Sequence, residues 1–136
     1  MKPDVKGKAV LDVGCNAGWF VRRALAEGAV RAVGVDADRP IVELAQSLGA
    51  GEYHVADIYN LNGDLGHFDI AFLLSVLQHV PRPRQALDHV LDLADEVYVE
   101  IPPRFVTDDL AAVLKDAQPI GESERGRPIY KVGRSG

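Results

Sequence analysis

Apolar residues in this chain fall in short runs separated by polar turns, and their period changes from run to run. Lys8 to Val13, Arg31 to Val35, Phe68 to Leu74 and Glu96 to Ile101 are brief and largely apolar on consecutive positions. That is the pattern of strands buried on both faces of a parallel sheet. Glu52 to Val55 adds a shorter strand that ends near Asp57. Between the strands the spacing lengthens to that of helices. After Gly18, Phe20, Val21, Ala24 and Leu25 share one side, and Arg22, Arg23 and Glu27 the other, with Gly28 as the stop. Ile41, Leu44, Ala45 and Leu48 predict a second apolar stripe, opened by Asp38 as cap and Pro40 in the first turn, and closed by Gly49. Tyr59 to Gly66 reads as a polar loop. Pro81 and Pro83 precede a third helix with Ala86, Leu87, Val90, Leu91 and Ala94 inward. Pro102-Pro103 stops the fifth strand. Thr107 caps a last helix with Asp108 and Asp109 in its first turn and a stripe of Leu110, Val113, Leu114 and Ala117. Ile120 to Glu124 and Pro128 to Val132, joined through Arg125-Gly126-Arg127, close the chain as a hairpin.

Strands that alternate with helices predict an α/β fold, a single doubly wound and mostly parallel sheet covered on both faces, with right-handed crossovers. One domain over 1–136 is expected at this length. Ligands of such sheets bind at the carboxyl ends of the strands. Asp12, Asp36, Asp57 and Ser75 all lie at or just past such ends.

Composition narrows the partners. The net charge of −5 gives no electrostatic pull on nucleic acid, which speaks against DNA and weakens the case for RNA. No apolar run approaches the ~20 residues of a membrane span, and no apolar signal region follows Met1. The single cysteine, Cys15, excludes an internal disulfide and fits a reducing, cytoplasmic setting. His54, His67, His79 and His89 are scattered, and no pair has ligand spacing, so no metal is expected.

The chemistry concentrates in Val10-Leu11-Asp12-Val13-Gly14-Cys15-Asn16-Ala17-Gly18-Trp19-Phe20. Gly14 and Gly18 remove side chains where backbone must pass close to a ligand. The helix start at Ala17 to Trp19 offers N–H groups to a carboxylate. Asp12 can accept from an ammonium or fix the glycine loop. Asp36 can accept from both ribose hydroxyls or cap the helix near Asp38. Asp57 can accept from an adenine amine, with Ile58 over the ring. A ligand with an amino-acid end, a ribose and an adenine satisfies all three acids. A nicotinamide dinucleotide wants Gly-x-Gly-x-x-Gly, but Asn16 stands two after Gly14, and no Gly-Lys-Ser/Thr of a P-loop occurs. Cys15 reads as a small residue in a tight loop before it reads as a nucleophile. Trp19 lines the pocket or stands on its rim; Phe20 reads as core. His79, just past the fourth strand, is the candidate catalytic base, the plain alternative being a loop hydrogen bond. Glu100 is a second candidate. Arg82, Arg84 and Arg104 follow strands four and five and could receive an anionic acceptor, or simply face solvent.

These residues resemble the class I S-adenosylmethionine-dependent methyltransferases. Leu11 to Gly18 looks like the family's first motif and Gly34-Val35-Asp36-Ala37-Asp38 like its second. Ala56-Asp57-Ile58 looks like the third, and Phe68 to Val80, through Leu74-Ser75, like the fourth. Cys15 to Phe20, with Val76-Leu77-Gln78-His79 and Gly126-Arg127-Pro128-Ile129-Tyr130, resembles a narrower group. It includes enzymes that modify the wobble uridine of tRNA and relatives linked to glycan or natural-product genes. The resemblance implies seven strands in the order 3-2-1-4-5-7-6 with strand seven antiparallel. It implies S-adenosyl-L-methionine as cofactor, held by Asp12, Gly14, Cys15, Asn16, Gly18, Trp19, Asp36, Ala37, Asp57, Ile58, Leu74 and Ser75. The acceptor would be a small molecule or RNA offering an O, N or C nucleophile. The family's usual helices before the first strand are not seen. A minimal core with an open substrate side is therefore expected, completed by a homodimer or a partner subunit. The alternative is a catalytically silent module of the same fold that supports an active partner.

Overall fold

Alternation along the first strand sets the layout. In the computed structural model, which describes residues 3–61 and 63–133, β1 (Ala9–Val13) sends Leu11 and Val13 to one face of the sheet and Val10 to the other. The first face also takes Val33 and Val35 of β2 (Arg31–Asp36), Ala71 and Leu73 of β4 (Phe68–Leu74) and Val97 and Val99 of β5 (Ala94–Glu100). It packs on α3 (Pro83–Leu91) and α4 (Asp108–Leu114) through Leu87, Val90 and Leu110. The opposite face joins Val10, Ala32, Ile70, Phe72 and Tyr98 to α1 (Trp19–Ala26) and α2 (Arg39–Leu48) through Val21, Ala24, Val42 and Ala45. Both faces are buried, which is why the strands are written as apolar runs.

With β3 (Glu52–Val55), β6 (Gln118–Glu122) and β7 (Pro128–Gly133), the sheet runs β3-β2-β1-β4-β5-β7-β6. The five strands from β3 to β5 are parallel, and β7 is antiparallel to both its neighbours. Strand order and orientation are those expected from the motifs. The chain leaves β1 in one direction for β2 and in the other for β4, so the crevice above β1 and β4 is the topological switch point.

Four details differ from the sequence reading. In α2 the buried positions are Val42 and Ala45, whereas Leu44 is 46% and Leu48 52% exposed. Five apolar residues in ten allow two helical phases, and contact with β2 and β3 selects the one the periodicity did not. Ala94 belongs to β5, because α3 ends at Leu91. Ala117 lies past the end of α4. Thr107 occupies the N-cap position of α4 without capping it, because its hydroxyl donates to the Asp109 carboxylate at 2.6 Å. The 59–66 loop also contains short 3-10 turns, Ile58–Asn60 and Gly63–Leu65. No helix among the described residues is long and apolar enough to cross a membrane.

Candidate functional site

The turn after β1 is pinned to the tip of β2. The amides of Gly14 and Cys15 both donate to the Val35 carbonyl, at 2.8 and 2.9 Å. Asn16 takes a left-handed conformation (φ 53°), and its amide donates to Asp36 Oδ2 at 3.0 Å. Its side-chain oxygen accepts the Ala17 amide at 2.8 Å, and the Gly18 amide donates to the Cys15 carbonyl at 3.0 Å. The expected anion-facing amides of Ala17 and Gly18 are therefore consumed within the loop. At the start of α1, Trp19 and Phe20 keep amides with no backbone partner among the described residues.

Above this turn opens a cavity of about 1050 Å³. Gly14, Asn16, Trp19, Asp36 and Ala37 line one part of it, and Asp57 and Ile58 the next. Leu74, Ser75, His79 and Glu100, from β4, β5 and the loop after β4, also line it. The structure thus brings nine of the twelve expected cofactor residues, and the candidate base His79, to bear on one space. Asp12, Cys15 and Gly18 are not on its wall. Cys15 is buried against Gly34, and burial, with the charges of Asp12 and Asp36, pushes its thiol up to about 12. It stays protonated and inert at neutral pH. A Cβ on Gly18 would sit 2.6 Å from the Tyr53 ring, so this glycine makes room for a core side chain rather than for a ligand.

Asp12 is the unusual member. It is 7% exposed, and no group among the described residues hydrogen-bonds its carboxylate. Alternation places it on the same face as Val10, toward α1. Burial, reinforced by the charge of Asp36, raises its pKa from 3.8 to about 7. Asp36 spends one lone pair of each oxygen on backbone, on the amides of Asn16 and Asp38, both at 3.0 Å. Each oxygen retains a second acceptor site. Asp57 caps the following turn by accepting the Tyr59 amide at 2.8 Å through Oδ1, which leaves Oδ2 for other donors. Tyr59 also lines the cavity, fixed by its hydroxyl, which accepts the Arg82 amide at 2.8 Å.

On the other side of β1, β4 and β5 meet the β6–β7 turn. Ser75 is left-handed (φ 60°), an uncommon state for a serine. Its amide donates to the Glu100 carbonyl at 3.0 Å and its hydroxyl to Glu100 Oε1 at 2.9 Å. Glu100 is 6% exposed. Arg125 and Arg127 both donate to the Ser75 hydroxyl oxygen. Arg82, Arg84 and Arg104, expected either to receive an anionic acceptor or to face solvent, do not line the cavity. Instead Arg84 pairs with Asp88 at 3.1 Å, Arg82 lies over Tyr59 and Arg104 over Phe105. His79 is exposed on the cavity wall, and its ring has no hydrogen-bond partner among the described residues. The other histidines have local partners: His54 with Glu52, His67 with Asp95 and His89 with the Leu61 carbonyl.

Comparison with known proteins adds the family. Residues 10–96 match a family model described as a methyltransferase domain. The chain is 34% identical over 101 residues to a tRNA U34 carboxymethyltransferase of Shewanella frigidimarina, covering 70% of this chain and 30% of that protein. It is also 34% identical over 88 residues to a ubiquinone biosynthesis O-methyltransferase of Coxiella burnetii, covering 61% of this chain and 37% of the relative. The chain therefore spans about a third of the length of these relatives. Among solved structures, magnesium protoporphyrin IX methyltransferase from Synechocystis PCC 6803 with bound SAM aligns over 97% of this chain and 72% of its own. The TM-score is 0.76 at 23% identity, a likeness of fold. The bifunctional kinase-methyltransferase WbdD aligns over 93% of this chain and 35% of its own, with a TM-score of 0.75 and 26% identity in one of its structures.

Proposed function

The chain belongs to the methyltransferase-domain family, among the class I S-adenosylmethionine-dependent enzymes, and from that membership we propose that it holds S-adenosylmethionine across the tips of β1, β2 and β3 and methylates an O, N or C nucleophile. One observation carries the reading. Asp12, Asp36 and Asp57 stand on three successive strand ends, and Asp12 is a buried carboxylate without a partner, the acceptor an α-ammonium requires.

The residues present fit the cofactor. Asp12, which is not on the cavity wall, would hold its ammonium through a water, and the Trp19 and Phe20 amides would serve its carboxylate. The remaining lone pairs of Asp36 accept from the ribose hydroxyls. Asp57 Oδ2 accepts from the adenine amine, with Ile58 and Tyr59 along the ring. Gly14 fixes the depth of the floor: at φ 76° and with Val76 only 2.9 Å from a would-be Cβ, no side chain fits there. When bound, S-adenosylmethionine supplies a methyl group already activated on a sulfonium. The chain's contribution is then chiefly positioning, holding donor and acceptor roughly 3–3.5 Å apart and in line. His79, with an unengaged ring on the wall, takes the nucleophile's proton where the nucleophile carries one. The relatives matched over most of this chain are enzymes by name, which supports catalysis over a silent module. The net charge of −5 supports a small acceptor over RNA.

Calorimetric titration of the protein with S-adenosylmethionine tests the reading: saturable one-to-one heat is expected, and its absence would end it. In the same assay Asp36→Ala weakens binding by about 1–3 kcal/mol, roughly 5- to 150-fold. Asp36 also anchors Asn16 and Asp38, so Asp36→Asn, which keeps one acceptor oxygen, should lose less. Equal affinity in wild type and Asp36→Ala would take this side chain out of the site. His79→Ala leaves the dissociation constant of the donor unchanged. A loss beyond about tenfold would mean that the ring shapes the donor pocket.

A further inference from the structure

The Ser75 hydroxyl is saturated in an unusual way. It gives its only proton to Glu100 and receives two guanidiniums, Arg125 at 3.2 Å and Arg127 from two residues further along the same turn. Neither arginine forms an ion pair with a carboxylate among the described residues, although Arg23, Arg31 and Arg84 all do. Two like charges are thus gathered on one neutral oxygen, where they repel each other. The Ser75 hydroxyl links them to the Glu100 carboxylate, and Glu124, next to Arg125 in the turn, also lines the cavity without pairing with either. Such an arrangement is relieved by an oxyanion, which arginine forks bind in bidentate fashion. The cluster also faces the right space. Ser75, Glu100, Ser123, Glu124 and Arg125 line the cavity from the β4, β5 and β7 side of the sheet, whereas Asp57 follows β3 on the other side of β1.

We propose that Arg125 and Arg127 are the acceptor-reading residues of this site, and that the methyl acceptor carries a carboxylate or phosphate group close to its nucleophile. This rests on the donor lying over Asp12, Asp36 and Asp57, which leaves the arginine side of the cavity to the acceptor. The left-handed backbone at Ser75 and its bond to Glu100 hold the hydroxyl where both guanidiniums can use it as a resting partner. An arriving oxyanion takes over their donors, and Ser75 keeps its bond to Glu100. The antiparallel pairing of β7 with β5 brings the two arginines to the site, through Glu100 against Ile129.

The test uses S-adenosylhomocysteine, inorganic phosphate and acetate as probes. The protein is first titrated with S-adenosylhomocysteine, and the loaded protein then with phosphate or acetate at fixed ionic strength. The backbone amide and arginine side-chain resonances are followed by NMR. Expected is saturable binding of at least one oxyanion, on the order of millimolar, with shifts centred on Ser75, Arg125 and Arg127. Which probe binds more tightly distinguishes a carboxylate from a phosphate acceptor. Arg125→Gln and the double variant with Arg127→Gln should weaken that binding about tenfold or more, with S-adenosylhomocysteine affinity within about twofold of wild type. Arg125 is exposed, so its single variant stays interpretable if the double one folds poorly. Linear, non-saturating shifts with both oxyanions, or equal affinity in wild type and Arg125→Gln, would overturn the proposal. Oxyanion binding at the arginines without binding of S-adenosylhomocysteine would instead sink the donor reading, and with it the assignment of the oxyanion to a methyl acceptor, while showing that the arginines bind an oxyanion.

Discussion

Gly18→Val is expected to cost the fold about 3–5 kcal/mol and to remove cofactor binding with it. Gly18 sits at φ 85° as the N-cap of α1, a conformation that strains any β-branched residue by about 1–2 kcal/mol or more. A Cβ there would stand 2.6 Å from both Cε1 and the hydroxyl of Tyr53. The ring cannot swing away easily. It is 6% exposed, packed among Cys15, Val21 and Ala45, and its hydroxyl donates to the Ala50 carbonyl at 2.9 Å. Overpacking of that kind adds about 1–3 kcal/mol. For a chain of this size the melting temperature should fall by roughly 10–20 °C in a thermal scan. The two sources separate in a double-mutant cycle. Gly18→Ala with Tyr53→Leu removes the clash and leaves the backbone strain, so the pair should be less destabilised than the sum of the singles by about 1–2 kcal/mol. Strict additivity would show that the ring is not what the glycine accommodates.

That glycine marks the boundary of what the chain discloses on its own. The spacing Gly14-x-x-x-Gly18 after an apolar run announces a tight turn between a strand and a helix, and the structure has one there. The reason for Gly18 lies 35 residues away, in Tyr53. No local pattern reports which side chain passes over a turn. Asp36 and Asp57 were legible because parallel strands end where their apolar runs end, and the carboxyl ends of such strands share one side of the sheet. The face of α2 was not, because Leu44 and Leu48 look like core and are solvent-facing. Arg125 and Arg127 were the least legible. The chain offers arginines after strands four and five as well, and sequence position favoured those. The antiparallel return of β7 instead brings a turn 50 residues away against Ser75. Contacts of that separation are made by topology, and the local pattern is silent about them.

Asp12→Asn is expected to make the free protein more stable at alkaline pH and a poorer ligand binder. The carboxyl is raised from 3.8 to about 7 in the folded state, first by burial and then by Asp36. For an acid shifted upward, the stability contribution is complete below the unfolded value of 3.8 and drains away as pH rises through about 7. Above that range the folded protein carries an ionised, poorly solvated carboxylate. At ~1.36 kcal/mol per unit, a shift of about three units corresponds to about 4 kcal/mol as an upper figure. Asparagine has nearly the same shape and no charge to bury. The gap between variant and wild type in urea unfolding should therefore widen by about 2–3 kcal/mol from pH 5 to pH 8, and parallel stability curves would refute the shift. A bound α-ammonium reverses the balance, because it favours the ionised form that the free protein resists. Affinity of the wild type for S-adenosylmethionine should then rise between pH 5 and 7, below the ~8 at which an α-amino group loses its own proton. Binding should release a fraction of a proton, read as a dependence of the calorimetric heat on the ionisation enthalpy of the buffer. Asp12→Asn should abolish both effects. The strain that destabilises the empty site is then the same free energy that selects a cationic ligand, which accounts for a carboxylate kept among apolar neighbours with no hydrogen bond of its own.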